Sequence, residues 1–255
     1  MGISYDAIDK KELSAQIADQ IREAILGGKL VVRERLPGEE ELAERFGVSR
    51  PTVREALKRL AAQNLIRSRR GPKGGAFVHQ LSWSEAHESL VTTSRLLVSM
   101  NPIDPRDIVE ARASMEKACL PFACARREAR HLETMRKEIV AQRSGGISDE
   151  AFCDSDVRFH RALVDAAGNP MLSFQMAGAI EAMQPLLNMI TFRSRDRKEI
   201  AGAHDLLVDA LESRGANSAA EQIDRLADYT LKLIEAAQSR RAASHAEKIQ
   251  TRNSL

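Results

Sequence analysis

A short break between two helical patterns is the feature that most constrains the fold of this chain. Residues 39–46 begin with three glutamates, which favour the first turn of a helix, and Gly47 follows as a residue that readily ends one. Val48 lies within the turn, and Ser49 stands where a helix cap is needed. Pro51 comes next, at a position in the first turn where its missing N–H costs no bond. The pattern predicts two helices joined by a tight turn.

The segments on either side of this turn complete a small domain. Apolar residues recur at helical spacing over residues 11–26, up to a pair of glycines that ends the helix. Residues 65–69 and 76–79 have the pattern of two short strands, and the glycine-rich loop 70–75 joins them. Three helices followed by a two-stranded β wing make a winged helix-turn-helix, which we assign to residues 1–81.

Positive charge is concentrated in this domain. Residues 45–73 contain nine Lys or Arg and one acid, and residues 1–81 hold 15 basic and 11 acidic side chains against 23 and 25 in the remainder. Arg50, Arg54 and Lys58 recur every fourth residue, opposite an apolar stripe. A surface helix often exposes such a basic row to solvent, but the basic glycine-rich loop nearby favours a DNA-docking face. The apolar stripe consists of Val53, Ala56, Leu57 and Leu60.

The rest of the chain is predicted to be all-α. Apolar residues keep helical spacing over residues 83–237, with breaks at glycines and prolines, which predicts a bundle of six or seven helices. Pro185 lies inside one helical pattern and predicts a kink near Met183. We assign residues 82–238 to this domain. Residues 239–255 contain few large apolar side chains and are expected to be frayed or disordered.

The sequence argues against a secreted or membrane protein. No apolar run approaches the roughly 20 residues that cross a bilayer, and the first residues lack the charged and apolar regions of a secretory signal. We therefore expect a cytoplasmic protein with no membrane partner. The three cysteines lie in helical patterns without a close Cys-x-x-Cys pair, so buried reduced thiols are expected.

Several ionisable residues occupy positions in helical patterns where apolar residues are expected. Asp156 and His160, four residues apart, share one helix face with apolar neighbours, and His204 lies in another apolar stripe. Arg112 precedes Glu116 by one turn in a third helix. Because a buried unpaired charge is costly, these groups must pair with each other, with a metal or with a ligand. Each also has an ordinary structural explanation, as a helix hydrogen bond, a surface ion pair or a core histidine.

The N-terminal domain is similar to a known family in three segments, which read LPGEEELA (36–43), GVSRPTVREALKRL (47–60) and GGAFV (74–78). They resemble the winged helix-turn-helix of GntR-type bacterial transcription regulators. The resemblance implies that operator DNA is contacted by Arg50, Thr52, Arg54, Arg70 and Gly71. Lys58 joins this set because it lies on the same predicted face. The family usually has an arginine at the position of Glu40, so an acid there is expected to weaken or redirect phosphate binding.

The C-terminal part resembles the FCD domain, the effector-binding helical domain of the FadR-like branch of these regulators. The matching segments are residues 108–118, 152–163, 168–170 and 204–207. In that domain the positions of Asp156, His160 and His204, with one further histidine, bind a divalent metal such as zinc or nickel. Leu226 occupies the place of the further histidine. The resemblance also implies that Arg112 pairs with a carboxylate of the effector.

These patterns together predict a ligand-responsive repressor that binds operator DNA as a homodimer. A small organic acid would enter the bundle and change operator binding, either through a divalent metal held by Asp156, His160 and His204 or by direct contact with those side chains. A homodimer is expected because one winged module covers few base pairs.

Two other interpretations compete with this one. A metal-dependent enzyme could use Asp156, His160 and His204, although no general base or nucleophile with a recognisable spacing accompanies them. A ligand-independent architectural DNA binder would leave the polar residues in the apolar stripes unexplained.

Overall fold

The computed structural model describes residues 10–71, 74–185, 187 and 195–253, with side chains described between residues 13 and 240 of those ranges. The chain forms two compact units, Met1–Glu85 and Ala86–Leu255, close to the division that the charge distribution suggested. Within the described residues, none of the helices combines the length and apolar character needed to span a bilayer.

The N-terminal unit contains three helices, α1 (Lys10–Leu26), α2 (Glu39–Phe46) and α3 (Arg50–Ala62). Their ends follow local signals. Gly47 adopts a left-handed conformation, with φ of 63°, that ends α2, and the Ser49 hydroxyl accepts a hydrogen bond from the Thr52 N–H at 3.4 Å at the start of α3. The two helices and the tight turn between them are therefore present where the sequence predicts them.

The wing is a two-stranded antiparallel sheet of β1 (Ile66–Arg69) and β2 (Gly75–Val78). Ile66 pairs with Val78, and both side chains are buried. A third stretch of chain, not predicted from the sequence, lies beside β2, because Arg35 forms a β-bridge with Phe77. The core of this unit combines helix and sheet residues, among them Ile17, Ile21, Leu36, Ala56, Leu60 and Ile66.

The C-terminal unit is a helical bundle, and the mostly α fold with an N-terminal winged helix-turn-helix is confirmed. Its main core packs α7 against α5, α6 and α9, with Phe159 and Leu163 of α7 completely buried. Cys119 and Cys124 are buried free thiols, and Cys153 is half-buried. The helices are α4 (Trp83–Met100), α5 (Pro105–Arg126), α6 (Ala129–Gln142), α7 (Asp149–Asp165), α8 (Pro170–Ala177), α9 (Arg197–Glu212) and α10 (Ala216–Asn253).

Pro185 predicts a kink near Met183, and the structure has a π-helical turn, which the sequence did not predict, at Gly178–Ala182 directly after α8. Proline has no N–H to donate to the carbonyl four residues earlier, which belongs to Glu181. That carbonyl instead accepts a hydrogen bond from Arg95 Nη2 of α4 at 3.1 Å. A contact between helices thus replaces the bond that the proline removes.

The last helix is longer than the sequence suggested. The pattern of large apolar residues ends near Ala237, but α10 continues to Asn253. Nine of the 15 residues 239–253 are alanine, arginine, glutamate, lysine or glutamine, which have high helix propensity even without an apolar face. Low apolar content was therefore a poor guide to the backbone conformation of this segment. The last two residues of the expected disordered tail, 254 and 255, lie outside the described part.

Candidate functional site

The exposed face of α3 carries most of the residues predicted to contact DNA. Arg50, Arg54 and Lys58 are all exposed, and the apolar stripe on the other side of the helix faces the core. Thr52 is half-buried, with its hydroxyl 2.8 Å from that of Ser49. The structure therefore places these residues on one surface, where their contact with DNA stays a prediction.

Two glutamates of α2 form ion pairs with this basic row. Arg54 Nη2 lies 2.8 Å from Glu39 Oε2, and Arg50 Nη1 lies 3.3 Å from Glu40 Oε1. The hydrogen bond from Arg54 lowers the pKa of Glu39, which keeps that carboxylate ionised. DNA phosphates would have to compete with these carboxylates for the arginines. These ion pairs could not be predicted from local spacing, because the partners are ten or fifteen residues apart and meet only when α2 packs on α3.

The loop of the wing begins with two further predicted contacts, Arg70 and Gly71, and both are exposed. Gly71 has φ of 105°, a conformation that favours glycine. Beside the loop, the Arg69 guanidinium carbon lies 4.9 Å from the centre of the Phe77 ring, a cation–π contact within the hairpin. Lys73, which completes the basic loop in the sequence, lies outside the described residues.

A cavity in the C-terminal bundle contains all four residues predicted to bind the effector, Arg112, Asp156, His160 and His204. The empty space of the cavity is about 670 Å³ when the part open to solvent is included. The polar side chains that line it are Arg112, Glu116, Asp156, His160, Gln184, Arg195, His204, Tyr229 and Thr230.

Three of these residues converge at one point. Asp156 and His160 lie four apart on α7, and α9 brings His204 to the same carboxylate. Asp156 Oδ1 lies 3.8 Å from His160 Nε2 and 3.6 Å from His204 Nε2. The three side chains are buried, and each offers one ligand atom within 4.8 Å of the others. The Nε2 atoms of both histidines lie too far from Asp156 Oδ1 for a hydrogen bond, so there is room between the three donor atoms.

The ion pair of Glu116 and Arg112 contacts His160 on the side of the ring away from the centre. Glu116 Oε2 lies 3.0 Å from His160 Nδ1, and Glu116 Oε1 accepts a hydrogen bond from Arg112 Nε at 2.8 Å. Burial raises the pKa of Glu116, but Arg112 and His160 outweigh burial and bring that pKa to about 2. Because an ionised carboxylate only accepts hydrogen bonds, Nδ1 of His160 carries a proton and Nε2 faces the centre.

Arg112 and Glu116 are therefore not a surface ion pair. Arg112 is 9% exposed and Glu116 2%, and both line the cavity. Arg112 thus lies in the cavity with the other predicted effector-binding residues, but its Nε–H already donates a hydrogen bond to Glu116. The ordinary interpretation of this pair as an exposed helix contact is excluded by its burial.

His204 is held in a similar way by an amide. Gln142 Oε1, at the end of α6, lies 2.8 Å from His204 Nδ1. Burial, with smaller contributions from His160 and Arg112, lowers the pKa of His204 well below its ordinary value, so the imidazole is neutral. Its Nε2 atom is buried and has no hydrogen-bond partner among the described residues. The ring stacks on Phe159 with centroids 3.9 Å apart.

Asp156 has its own partner on the side away from the histidines. The Gln184 amide nitrogen donates a hydrogen bond to Asp156 Oδ2, which leaves Oδ1 for the centre. Gln184 is buried and lies just after the π-helical turn. Neither glutamine was identified from the sequence, because a helical glutamine is common and only tertiary packing brings Gln142 and Gln184 to this site.

The donor set fits a divalent transition metal. Two imidazole nitrogens and one carboxylate oxygen are the ligands that zinc and nickel accept, and each of these residues has an outer hydrogen-bond partner, as metal ligands usually do. The buried Nε2 of His204, which has no hydrogen-bond partner within the described ranges, supports the same interpretation. Leu226 of α10 lines the same cavity, so an alkyl group stands on the wall where the resemblance places a fourth ligand.

Comparison with known families and proteins agrees with both halves of the chain. Residues 13–78 match the family model described as "Bacterial regulatory proteins, gntR family", and residues 107–229 match the FCD domain. A solved structure described as Streptococcus agalactiae GntR is 21% identical, with a TM-score of 0.47 over 88% of this chain and 99% of that chain.

Two curated relatives extend over most of the sequence. The "Putative L-lactate dehydrogenase operon regulatory protein" of Escherichia coli is 30% identical over 221 residues, which cover 82% of this chain and 81% of the relative. The "HTH-type transcriptional regulator Mce2R" of Mycobacterium tuberculosis is 28% identical over 255 residues, 94% of this chain and 100% of the relative. These relatives are transcription regulators and not enzymes, so the interpretation of the three metal-type residues as a catalytic centre is wrong. The chain belongs to the GntR family of bacterial transcription regulators, with a C-terminal FCD domain.

Proposed function

We propose that this protein is a repressor of the FadR-like branch, in which a small carboxylic acid binds in the cavity of the C-terminal unit and lowers the affinity for operator DNA. Asp156, His160 and His204 would hold a divalent metal, zinc or nickel, to which the acid adds its own oxygen atoms. One observation carries the proposal: three buried donor atoms converge at a centre that lines a cavity in the bundle.

The charges of the cavity favour an acid only when a cation is also present. Among its lining residues, Arg112 and Arg195 supply two positive charges, and Glu116 and Asp156 supply two negative ones. A buried anion would therefore enter surroundings with no excess positive charge, which is unfavourable. A divalent ion would supply that charge and a Lewis-acid position for carboxylate oxygens. Arg112 would orient the acid, since its guanidinium lines the same space.

On the DNA side, we propose that Arg50, Arg54 and Lys58 of α3 face the major groove, with Thr52 beside them. Arg70 and Gly71 of the wing would contact the adjacent backbone. The arginines that pair with Glu39 and Glu40 in the free protein would exchange these carboxylates for phosphates or base edges. A homodimer would place two such faces on a pseudopalindromic operator in the cytoplasm.

An architectural DNA binder without a ligand is the remaining alternative. It would have no use for a cavity lined by nine polar side chains, nor for a buried imidazole nitrogen that has no hydrogen-bond partner in the described part of the chain. Burying polar groups without hydrogen-bond partners lowers the free energy of unfolding, and a ligand that binds only the folded state can raise it again.

The proposal is tested with protein freed of metal by a chelator. Zn²⁺ or Ni²⁺ and then a panel of carboxylic acids are titrated calorimetrically, and operator affinity is measured by fluorescence anisotropy on the DNA upstream of the gene. L-Lactate belongs in the panel because the name of one relative refers to an L-lactate dehydrogenase operon. We expect one metal ion per chain, and one class of acid that binds only after the metal and weakens operator binding.

The variant His160→Ala separates the two activities. It should bind metal and acid much more weakly while its salt-dependent binding to nonspecific DNA is unchanged. An unaltered metal titration in this variant would remove the cavity from the proposal. A wild-type protein that binds no fragment of its own upstream region in a salt-sensitive way would remove the DNA half.

A further inference from the structure

The position of one proton decides whether the buried centre can accept a cation. A neutral imidazole carries its proton on either Nδ1 or Nε2, and only the nitrogen without a proton can bind a metal. If Nε2 of His204 carried the proton, it would point at Asp156 Oδ1, 3.6 Å away, and a small adjustment would close a hydrogen bond between them. The centre would then be satisfied without any ion.

We propose that Gln142 is the positioning residue that holds the proton of His204 on Nδ1, and so keeps the Nε2 lone pair directed at the centre before any metal arrives. The inference deepens the proposed function and rests on it for the identity of the ligand as a divalent cation. It concerns a residue of α6 that is not among the residues lining the cavity.

The contact itself supports this role. Gln142 is 2% exposed, and its carbonyl oxygen Oε1 lies 2.8 Å from His204 Nδ1. A carbonyl oxygen only accepts hydrogen bonds, so the imidazole must donate from Nδ1. Phe159 stacks on the same ring with 17° between the planes, which prevents the imidazole from turning over.

The arrangement leaves hydrogen-bonding capacity unused elsewhere. His204 Nε2 and Gln142 Nε2 are both buried, and neither has a partner among the described residues. Reversing the Gln142 amide would let its nitrogen donate to His204 Nδ1, and the imidazole could then donate from Nε2 to Asp156. In the observed orientation these two hydrogen bonds are absent, and the lone pair of His204 Nε2 is not used. A cation at the centre would bind to that lone pair.

His160 is oriented in a similar way, but by a charged acceptor. There the ionised Glu116 fixes the proton on Nδ1, and Arg112 compensates the carboxylate. Gln142 performs the corresponding task for His204 without adding a charge. Two of the three proposed ligands are therefore set by acceptors that lie outside the centre.

The experiment is nitrogen-15 NMR of the histidine side chains in the metal-free full-length protein at a pH where His204 is neutral, with the His204 signals assigned by comparison with His204→Gln. We expect a protonated Nδ1 and an unprotonated Nε2 in the wild type. Gln142→Leu should move the proton to Nε2 and lower the affinity for Zn²⁺ by roughly 10- to 100-fold. Gln142→Glu, which keeps an acceptor at the same position, should retain the wild-type tautomer and bind Zn²⁺ at least as tightly.

Gln222→Leu is the matched control, because the buried side-chain oxygen of Gln222 in α10 also has no partner among the residues that the structure describes, and Gln222 does not line the cavity. It should change neither the tautomer nor the Zn²⁺ affinity. A protonated Nε2 in the wild type would overturn the inference, as would an unchanged tautomer in Gln142→Leu. A wild type with the expected tautomer that binds no divalent metal would instead contradict the proposed function, so the two failures are distinguishable. Should Gln142→Leu not fold, the wild-type and Gln142→Glu spectra still decide the matter.

Discussion

At the scale of single residues, the C-terminal unit depends on a chain of buried polar contacts that starts at Arg112. Arg112 binds Glu116, Glu116 binds His160, and His160 faces the centre beside Asp156 and His204. The sequence identified each of these five residues, because each interrupts an apolar stripe. It did not identify the two glutamines that orient them, since nothing in local spacing distinguishes a glutamine that reaches a neighbouring helix from one that faces solvent.

Glu116 should make stability depend on pH. Its pKa of about 2 in the folded protein is below the ordinary value of 4.5, so folding favours the ionised form. This contribution is complete above about pH 4.5 and is lost as the pH falls towards 2, and it corresponds to roughly 3 kcal/mol. Glu116→Gln should remove this dependence and destabilise the protein by about 3–5 kcal/mol at pH 7, because Arg112 loses its buried counter-charge.

Urea unfolding of the wild type and of Glu116→Gln at pH 7, 4 and 3 measures this difference. Glu212→Gln is a suitable control, because Glu212 is exposed in its ion pair with Arg136 and should change stability little. If Glu116→Gln lost stability on acidification as steeply as the wild type, the buried pair would not be the source of the effect.

Arg54 is the residue whose loss should weaken operator binding most directly. Arg54→Ala should cost about 1–3 kcal/mol in operator affinity, because it removes a cation from the exposed face of α3. Metal and acid binding should persist, since Arg54 belongs to the other unit. Anisotropy titrations with operator DNA measure the change, and Arg136→Ala, which breaks an exposed ion pair in the C-terminal unit, is the control. Undiminished operator affinity in Arg54→Ala would show that the recognition face is assigned to the wrong surface.

At the scale of secondary-structure elements, the sequence predicted what local signals determine. The glutamates of α2, the left-handed Gly47 and the cap at Ser49 each act within one turn, so the bounds of α2 and the start of α3 could be derived from them. The bridge between Arg35 and Phe77 could not, because it depends on how an extended stretch packs beside β2. Pro185 predicted a kink near Met183, whereas the π-helical turn at Gly178–Ala182, whose Glu181 carbonyl accepts a hydrogen bond from Arg95, was not predicted.

The turn between α2 and α3 can be tested with two alanine substitutions that differ in backbone conformation. A Cβ at either Gly47 or Gly202 meets no atom within 4 Å, but Gly47 has φ of 63° and Gly202 lies within α9. Gly47→Ala should destabilise the N-terminal unit by roughly 1–2 kcal/mol through backbone strain alone. Gly202→Ala should stabilise the C-terminal unit by up to about 1 kcal/mol.

Thermal and urea unfolding of both variants provide the measurement. A Gly47→Ala protein as stable as the wild type would mean that the turn does not require the left-handed conformation. A destabilised Gly202→Ala would show that space around α9 is tighter than the structure indicates.

At the scale of the whole molecule, charge and polarity are divided between two units. The N-terminal unit has a basic exposed face, and the C-terminal unit encloses a polar cavity in an otherwise apolar core. Binding in one unit can change binding in the other only if the ligand favours one of two states of the protein. The size of that preference is the coupling free energy, and it is the same whichever ligand is added first.

The most direct test of the account is therefore the affinity of the metal-loaded protein for its acid, measured by calorimetry with and without saturating operator DNA. We predict that operator DNA weakens acid binding, by the same factor by which the acid weakens operator binding in the anisotropy titration. Equal acid affinities in the two conditions would contradict the claim that the buried cavity controls the DNA-binding face.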